Sequence, residues 1–166
     1  YEPLVLVEGQ GCRVRDLEGR WYLDGVASLW CNVHGHRHPA LDAAIRAQLE
    51  QVAHVTNLGA SNVPAIQLAR RLAQLAPSGL EHVFFSDDGS TAVEAALKMA
   101  FQYWRQQPDP RPEKTRFLAL AEAYHGDTLG SVSVGGIELF HEIFRPLLFE
   151  CFRAPAPDTY RTPPGV

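Results

Sequence analysis

The chain has 166 residues with 46% hydrophobic and 20% charged side chains, the balance of an ordinary soluble globular protein able to bury a sizeable core. Its formal charge of −4 argues against nucleic acid or an anionic membrane as the main partner. No apolar run approaches a membrane span and no signal-peptide pattern opens the chain, so a cytoplasmic location is expected.

Residues Leu4 to Asp24 read as a small antiparallel meander. Strand-like runs at 4–7, 12–15 and 20–23 are separated by turns at Gly9-Gln10-Gly11 and Glu18-Gly19. Pro39 stands at a first helical position ahead of Leu41, Ile45, Leu49 and Val52 at helical spacing. A second helix opens near Asn62 and Pro64 and is stopped by Pro77 and Gly79. From His82 the rhythm becomes strand, helix, strand: Val83 to Phe85, then Thr91 to Arg105, then the apolar run Phe117 to Leu120. Near-continuous apolarity in that last run predicts a strand covered on both faces. A Gly- and Ser-rich connection from Ala123 to Gly136 is expected to be part helix. A short amphipathic segment near 140–144 and a strand within 147–152 follow, and the proline-rich tail carries no core pattern. The whole is an α/β pattern prefaced by a β-meander.

Three stretches carry chemistry. In Ser86-Asp87-Asp88-Gly89-Ser90-Thr91-Ala92-Val93-Glu94 a strand, a tight turn and a helix start follow one another. The first N–H groups of a helix lack internal partners and sit at the positive end of its dipole, which makes an anion site. Gly89 lets the backbone come close to a phosphate, and Ser90 and Thr91 offer hydroxyls. The competing reading is a plain capping box of Thr91 with Glu94. The second stretch, Ala123-Tyr124-His125-Gly126-Asp127-Thr128, follows directly on a strand of the α/β part. Ligands collect at such carboxyl ends, so Tyr124 is expected at the same edge as Gly89 and Ser90, stacked on a ring-bearing phosphorylated cofactor. The alternative is a buried tyrosine that merely satisfies its hydroxyl. The third stretch holds Trp30 and the alternating His34, His36 and His38. A fourth ligand is not evident, so a demanding turn with Trp30 lining a pocket is preferred to a metal site. Cys12, Cys31 and Cys151 have neither metal-ligand nor disulfide-framework spacing and are read as free thiols.

Taken together these stretches resemble the class III (ω-type) aminotransferases over about residues 5–157. Thr91 and the run Met99-Ala100-Phe101-Gln102-Tyr103-Trp104 favour the branch that serves biotin synthesis. The resemblance implies a fold type I PLP-transferase, of which this chain holds the N-terminal β-meander segment and the first part of the large-domain sheet. It implies residues 1–60 as meander, helix and pocket segment of the small domain, 61–157 as the first part of the large domain, and 158–166 as a cut-off tail. It further implies pyridoxal 5'-phosphate as cofactor, held by Gly89, Ser90, Thr91, Tyr124 and His125, with Trp30 and Tyr124 bordering the substrate. The implied substrate is 7-keto-8-aminopelargonate, converted to 7,8-diaminopelargonate by a cytoplasmic homodimer. S-adenosylmethionine is the usual donor, while Leu29 before Trp30 leaves lysine open as donor.

Transamination needs a Schiff-base lysine and a carboxylate at the pyridine nitrogen. In the family both come from later in the chain. The two lysines here, Lys98 and Lys114, match no such position, so no catalytic residue is assigned. The expectation is the N-terminal part of an enzyme, inactive alone and prone to aggregate through uncovered apolar faces. Another ω-aminotransferase and a non-catalytic fragment are the rival readings.

Overall fold

A computed structural model describes residues 2–158 and 160. They form two units, one through Leu80 and one from Glu81 onward. Residues 159 and 161–166 of the expected tail lie outside the described residues.

The first unit is built on the expected meander. Strands β1 (Leu6–Gln10), β2 (Arg13–Asp16) and β3 (Trp21–Leu23) pair antiparallel in that order. The register sets Gly9 opposite Val14 and Val14 opposite Tyr22, and Val14 is the unit's buried hydrophobic side chain. At the end of β2, Asp16 is 1% exposed and fully committed. It accepts from the Tyr22 hydroxyl at 2.7 Å and from the backbone N–H and Nε of Arg20 at 2.8 Å each. Burial pushes its carboxyl up, but the Tyr22 and Arg20 hydrogen bonds outweigh burial and hold it at about 2. This cluster ties the turn at Leu17-Glu18-Gly19 to β3.

A short helical segment, α1 (Ala27–Trp30), leads to α2 (Pro39–Leu49) and α3 (Val63–Leu75). Pro39 opens α2 where a missing N–H costs nothing. Asn62 caps α3, its side chain accepting from the Ala65 N–H at 2.9 Å. Both helices carry the predicted apolar stripe, yet Ile45, Leu49, Ile66 and Leu75 are exposed. The stripes are faces without a cover among the described residues.

In the second unit, α4 (Gly89–Gln106) precedes β4 (Phe117–Leu120), α5 (Leu129–Val134), α6 (Glu138–His141), a 3₁₀ turn (Glu142–Leu147) and β5 (Cys151–Ala154). β4 and β5 run parallel, paired from Phe117–Cys151 through Leu120–Ala154. α5 supplies the buried centre, with Val132 and Val134 against Ser131 and Ser133. Arg153 of β5 donates to the carbonyls of Ser133 and Val134 at 2.7 Å each, satisfying groups that the end of α5 leaves open. After α4, Lys114 Nζ lies 3.4 Å from the centre of the Trp104 ring, a cation–π contact that pins the proline-rich loop to the helix.

Three expectations change. Val83 to Phe85 forms no strand among the described residues, where β4 pairs with β5 alone. The last strand begins at Cys151, not within 147–149, because helical winding carries through Pro146 to Leu147. β4 is covered on one face only: Leu118 is 71% exposed.

Candidate functional site

The first turn of α4 is capped by its own sequence. Asp88 is the N-cap, accepting from the Thr91 N–H at 2.8 Å, while Thr91 Oγ1 accepts from the Asp88 N–H at 3.0 Å. The Ser86 hydroxyl donates to the same Thr91 oxygen at 2.6 Å. The capping box is thus Asp88 with Thr91, one turn earlier than the Thr91–Glu94 pairing expected. Among the described residues, the N–H groups of Gly89 and Ser90 have no partner. Nothing stands within 4 Å of where a Gly89 side chain would begin. Two free donors at the positive end of an 18-residue helix, with open space before them, suit a phosphate group.

The loop after β4 docks onto this turn. Ser90 Oγ accepts from the Asp127 N–H at 3.3 Å. Gly126 has φ +111°, and a side chain there would collide with the Ser90 hydroxyl and Cβ. Only glycine accepts both that dihedral and that approach. One turn further along α4, Glu94 Oε1 accepts from the Gly130 N–H at 2.7 Å, so α4 caps α5. The Thr128 hydroxyl holds the Glu94 carboxyl below the usual range against the opposing effect of burial, helped by the Gly130 and Ser131 N–H groups and Lys98.

Asp127 ties the loop together. Its Oδ2 accepts from the Tyr124 hydroxyl at 2.8 Å, and its Oδ1 lies 4.0 Å from Nε2 of His141. That hydrogen bond, with some burial, raises the Tyr124 pKa, so the phenol keeps its proton. Tyr124 is 50% exposed, its ring fixed at the hydroxyl end by Asp127. The competing reading of a buried tyrosine does not hold. His125 is half-buried beside it. His141 is 7% exposed, and its Nε2 has no hydrogen-bond partner.

In the first unit, Ala27, Ser28, Leu29 and Trp30 have φ of 50°, 48°, 61° and 73°, one turn of left-handed helix made without glycine. Leu29 and Trp30 stand 68% and 74% exposed. The three histidines divide: His34 and His38 meet edge to face at 5.9 Å, while His36 Nε2 binds Asp24 Oδ2 at 2.8 Å. Among the described residues no three His, Cys, Asp or Glu side chains group as a metal site.

Ser90, Thr91 and the Tyr124 loop are brought together as the sequence predicts, with the Thr91 hydroxyl already spent on the cap. Trp30 lies in the other unit. Sequence reasoning missed Asp127, Glu94, Gly126 and Gly130 as the junction, although Gly126 and Gly130 were visible as glycines either side of an N-cap threonine. It also missed Asp24, whose partner lies 12 residues away.

The same fold recurs in solved transaminases. One from Methanocaldococcus jannaschii, an adenosylmethionine-8-amino-7-oxononanoate aminotransferase, superposes with a TM-score of 0.86 at 44% identity, covering 94% of this chain and 35% of that one. An amine transaminase from an uncultivated Pseudomonas species, solved in its PLP-bound form, gives 0.83 at 39% identity, covering 98% of this chain and 36% of that one. The sequence matches the class III aminotransferase family over residues 1–164, and the chain belongs to that family. It is 59% identical over 162 residues to the adenosylmethionine-8-amino-7-oxononanoate aminotransferase of Nitratidesulfovibrio vulgaris, covering 98% of this chain and 30% of that protein. The chain spans about a third of the length of the curated relatives it matches.

Proposed function

We propose that these residues are the N-terminal part of a pyridoxal-phosphate-dependent aminotransferase that moves an amino group onto 8-amino-7-oxononanoate (7-keto-8-aminopelargonate), giving 7,8-diaminopelargonate for biotin synthesis. The observation that carries the reading is the junction of α4 with the Tyr124 loop: free donors at Gly89 and Ser90 beside a fixed aromatic ring. The identities of 59% and 57% to relatives of that name favour this acceptor within the class.

The Gly89 and Ser90 N–H groups would hold the phosphate, with Ser90 Oγ and the Thr91 side bracing the turn. Tyr124, tethered at its hydroxyl, would present its ring to the cofactor and its edge to the substrate, with His125 alongside. Trp30 would wall the substrate pocket. The bound cofactor supplies an electron sink for the carbanion. The lysine that carries it is not offered by this chain: Lys114 is spent on Trp104, and Lys98 sits mid-way along α4. We assign residues 1–60 to the small domain and pocket segment, 61–157 to the large domain, and the whole enzyme to a cytoplasmic homodimer.

The test is single-turnover amination by the full-length enzyme. With 8-amino-7-oxononanoate as acceptor, diaminopelargonate should form with S-adenosylmethionine as donor. Product from lysine but not S-adenosylmethionine would reassign the donor, and no product from this ketone alongside turnover of simple ω-amino acids would reassign the enzyme within its class. Ser90→Ala should weaken pyridoxal phosphate binding by about 1 to 2 kcal/mol in an equilibrium titration. An unchanged dissociation constant would remove the Ser90 hydroxyl from the cradle and leave its backbone N–H as the donor.

A further inference from the structure

Among the described residues, the left-handed turn at Ala27 to Trp30 is the longest run of positive-φ backbone. An L-residue in this region costs roughly 1–2 kcal/mol, and runs of such residues are rare. Four in succession without a glycine persist only when their surroundings over-determine them.

The surroundings are specific. Asp24 Oδ1 accepts from the Ser28 N–H at 2.9 Å and Oδ2 accepts from the Ser28 hydroxyl at 2.8 Å. Oδ2 also takes the His36 Nε2 contact at 2.8 Å. On its other side, His36 Nδ1 meets the Asn32 side-chain amide at 3.3 Å, and the Asn32 N–H donates to the Ala27 carbonyl at 2.9 Å. The tautomer with its proton on Nε2 satisfies both ring contacts at once. The bonds thus close a ring from Asp24 through Ser28 and Ala27 to Asn32, His36 and back.

The ring is anchored to the sheet. His36 and Gly11 exchange two backbone hydrogen bonds, at 3.0 and 2.8 Å. The imidazole lies against Gly9 of β1, where a side chain would start 2.7 Å from His36 Cγ. The Ser28 N–H bond first, then the His36 and Ser28 side chains, hold the Asp24 carboxyl at about 2, so it stays an anion throughout the working range. A clamp this complete on a turn whose last three residues are exposed serves whatever Leu29 and Trp30 present outward.

We propose that Asp24 and His36 are positioning residues for the substrate: they hold the left-handed turn that sets the Leu29 and Trp30 side chains against the acceptor ketone, and so fix the enzyme's affinity for it. This rests on the reading of Trp30 as a wall of the substrate pocket.

The experiment uses the full-length holoenzyme and 8-amino-7-oxononanoate at saturating donor. Asp24→Asn keeps the shape but turns an amide toward donors. It should raise KM for the ketone about tenfold while kcat stays within about twofold and pyridoxal phosphate affinity is unchanged. Ser28→Ala removes a single bond and should show the same split at about threefold. Adding Ala27→Gly to Asp24→Asn should recover about half of the lost affinity on a logarithmic scale, because glycine takes the positive φ without strain. Trp30→Ala is the control for the underlying reading. If Trp30→Ala raises KM but Asp24→Asn and Ser28→Ala do not, the clamp proposal is overturned and the pocket wall stands. If Trp30→Ala leaves KM unaltered, the wall reading fails and the proposal with it. Equal losses in kcat, KM and thermal midpoint, unrelieved by Ala27→Gly, would make the clamp merely structural.

Discussion

The two places proposed to meet ligands, the start of α4 and the Ala27–Trp30 turn, are built on opposite principles. Where the Tyr124 loop meets α4, the left-handed dihedral at the contact falls on Gly126, a single non-glycine, Glu122, takes a positive φ upstream, and the donors left open are backbone groups. At the Ala27–Trp30 turn, four ordinary residues are forced into left-handed geometry and side-chain bonds hold them there. On the proposed reading the phosphate belongs to the cofactor and stays the same whatever the substrate, so its seat can be rigid and indifferent to side-chain identity. A substrate wall must distinguish one ketone from another, and exposed side chains on a strained but clamped turn can be changed one at a time without remaking the fold. If the proposed roles hold, the run of four strained residues at the wall, against a glycine at the cradle contact, marks the wall as the site that discriminates.

The sharpest way to break this contrast is to put strain where there is none. Gly126→Ala forces an L-residue to φ +111° and drives its Cβ into Ser90. Pyridoxal phosphate affinity of the full-length enzyme should fall by about 3 kcal/mol, more than a hundredfold, in an equilibrium titration. A harmless Gly126→Ala would mean the cradle tolerates strain as well as the turn does. Next in size, Glu94→Gln removes the charge from the bond that caps α5 and should cost about 1.5 kcal/mol in urea unfolding of the apoenzyme. Because the folded carboxyl titrates below its ordinary 4.5, its contribution is full above that pH and is lost as pH falls through the lower folded value. The gap between wild type and Glu94→Gln should accordingly be widest near neutrality and close in acid. The smallest effect belongs to Thr91→Val, which keeps the shape of the side chain but loses the return bond to Asp88. A stability loss of about 1 kcal/mol with little change in cofactor affinity would place Thr91 in the cap. A large affinity loss with unchanged stability would make it a phosphate ligand.

Much of this was legible in the sequence where the signals are local. The meander, the starts of α2 and α3 at Pro39 and Asn62, and the run from β4 into the Tyr124 loop follow from turn residues and periodicity. The family was carried by the motifs around Gly89 and Tyr124. What stayed hidden depended on partners distant in sequence. Val83 to Phe85 has the composition of a strand, but a strand exists only when paired with another, and none pairs with it among the described residues. Glu94 looked like half of a local capping box because its true partner, Gly130, is 36 residues away. The left-handed turn was concealed for the opposite reason: Ala-Ser-Leu-Trp contains no glycine to announce it.

The parallel pairing of β4 with β5 has a consequence in time as well as space. β1 to β3 close through turns of a few residues, the kind of hairpin that forms within microseconds. Phe117 and Cys151 are 34 residues apart, and their ladder can form only after the intervening α5, α6 and 3₁₀ turn have been gathered between them. The Tyr124 loop hangs from the end of that late-forming ladder. In a growing or refolding chain the meander should be in place first, and the proposed cofactor seat at the Tyr124 loop should become competent only after the β4–β5 ladder has closed.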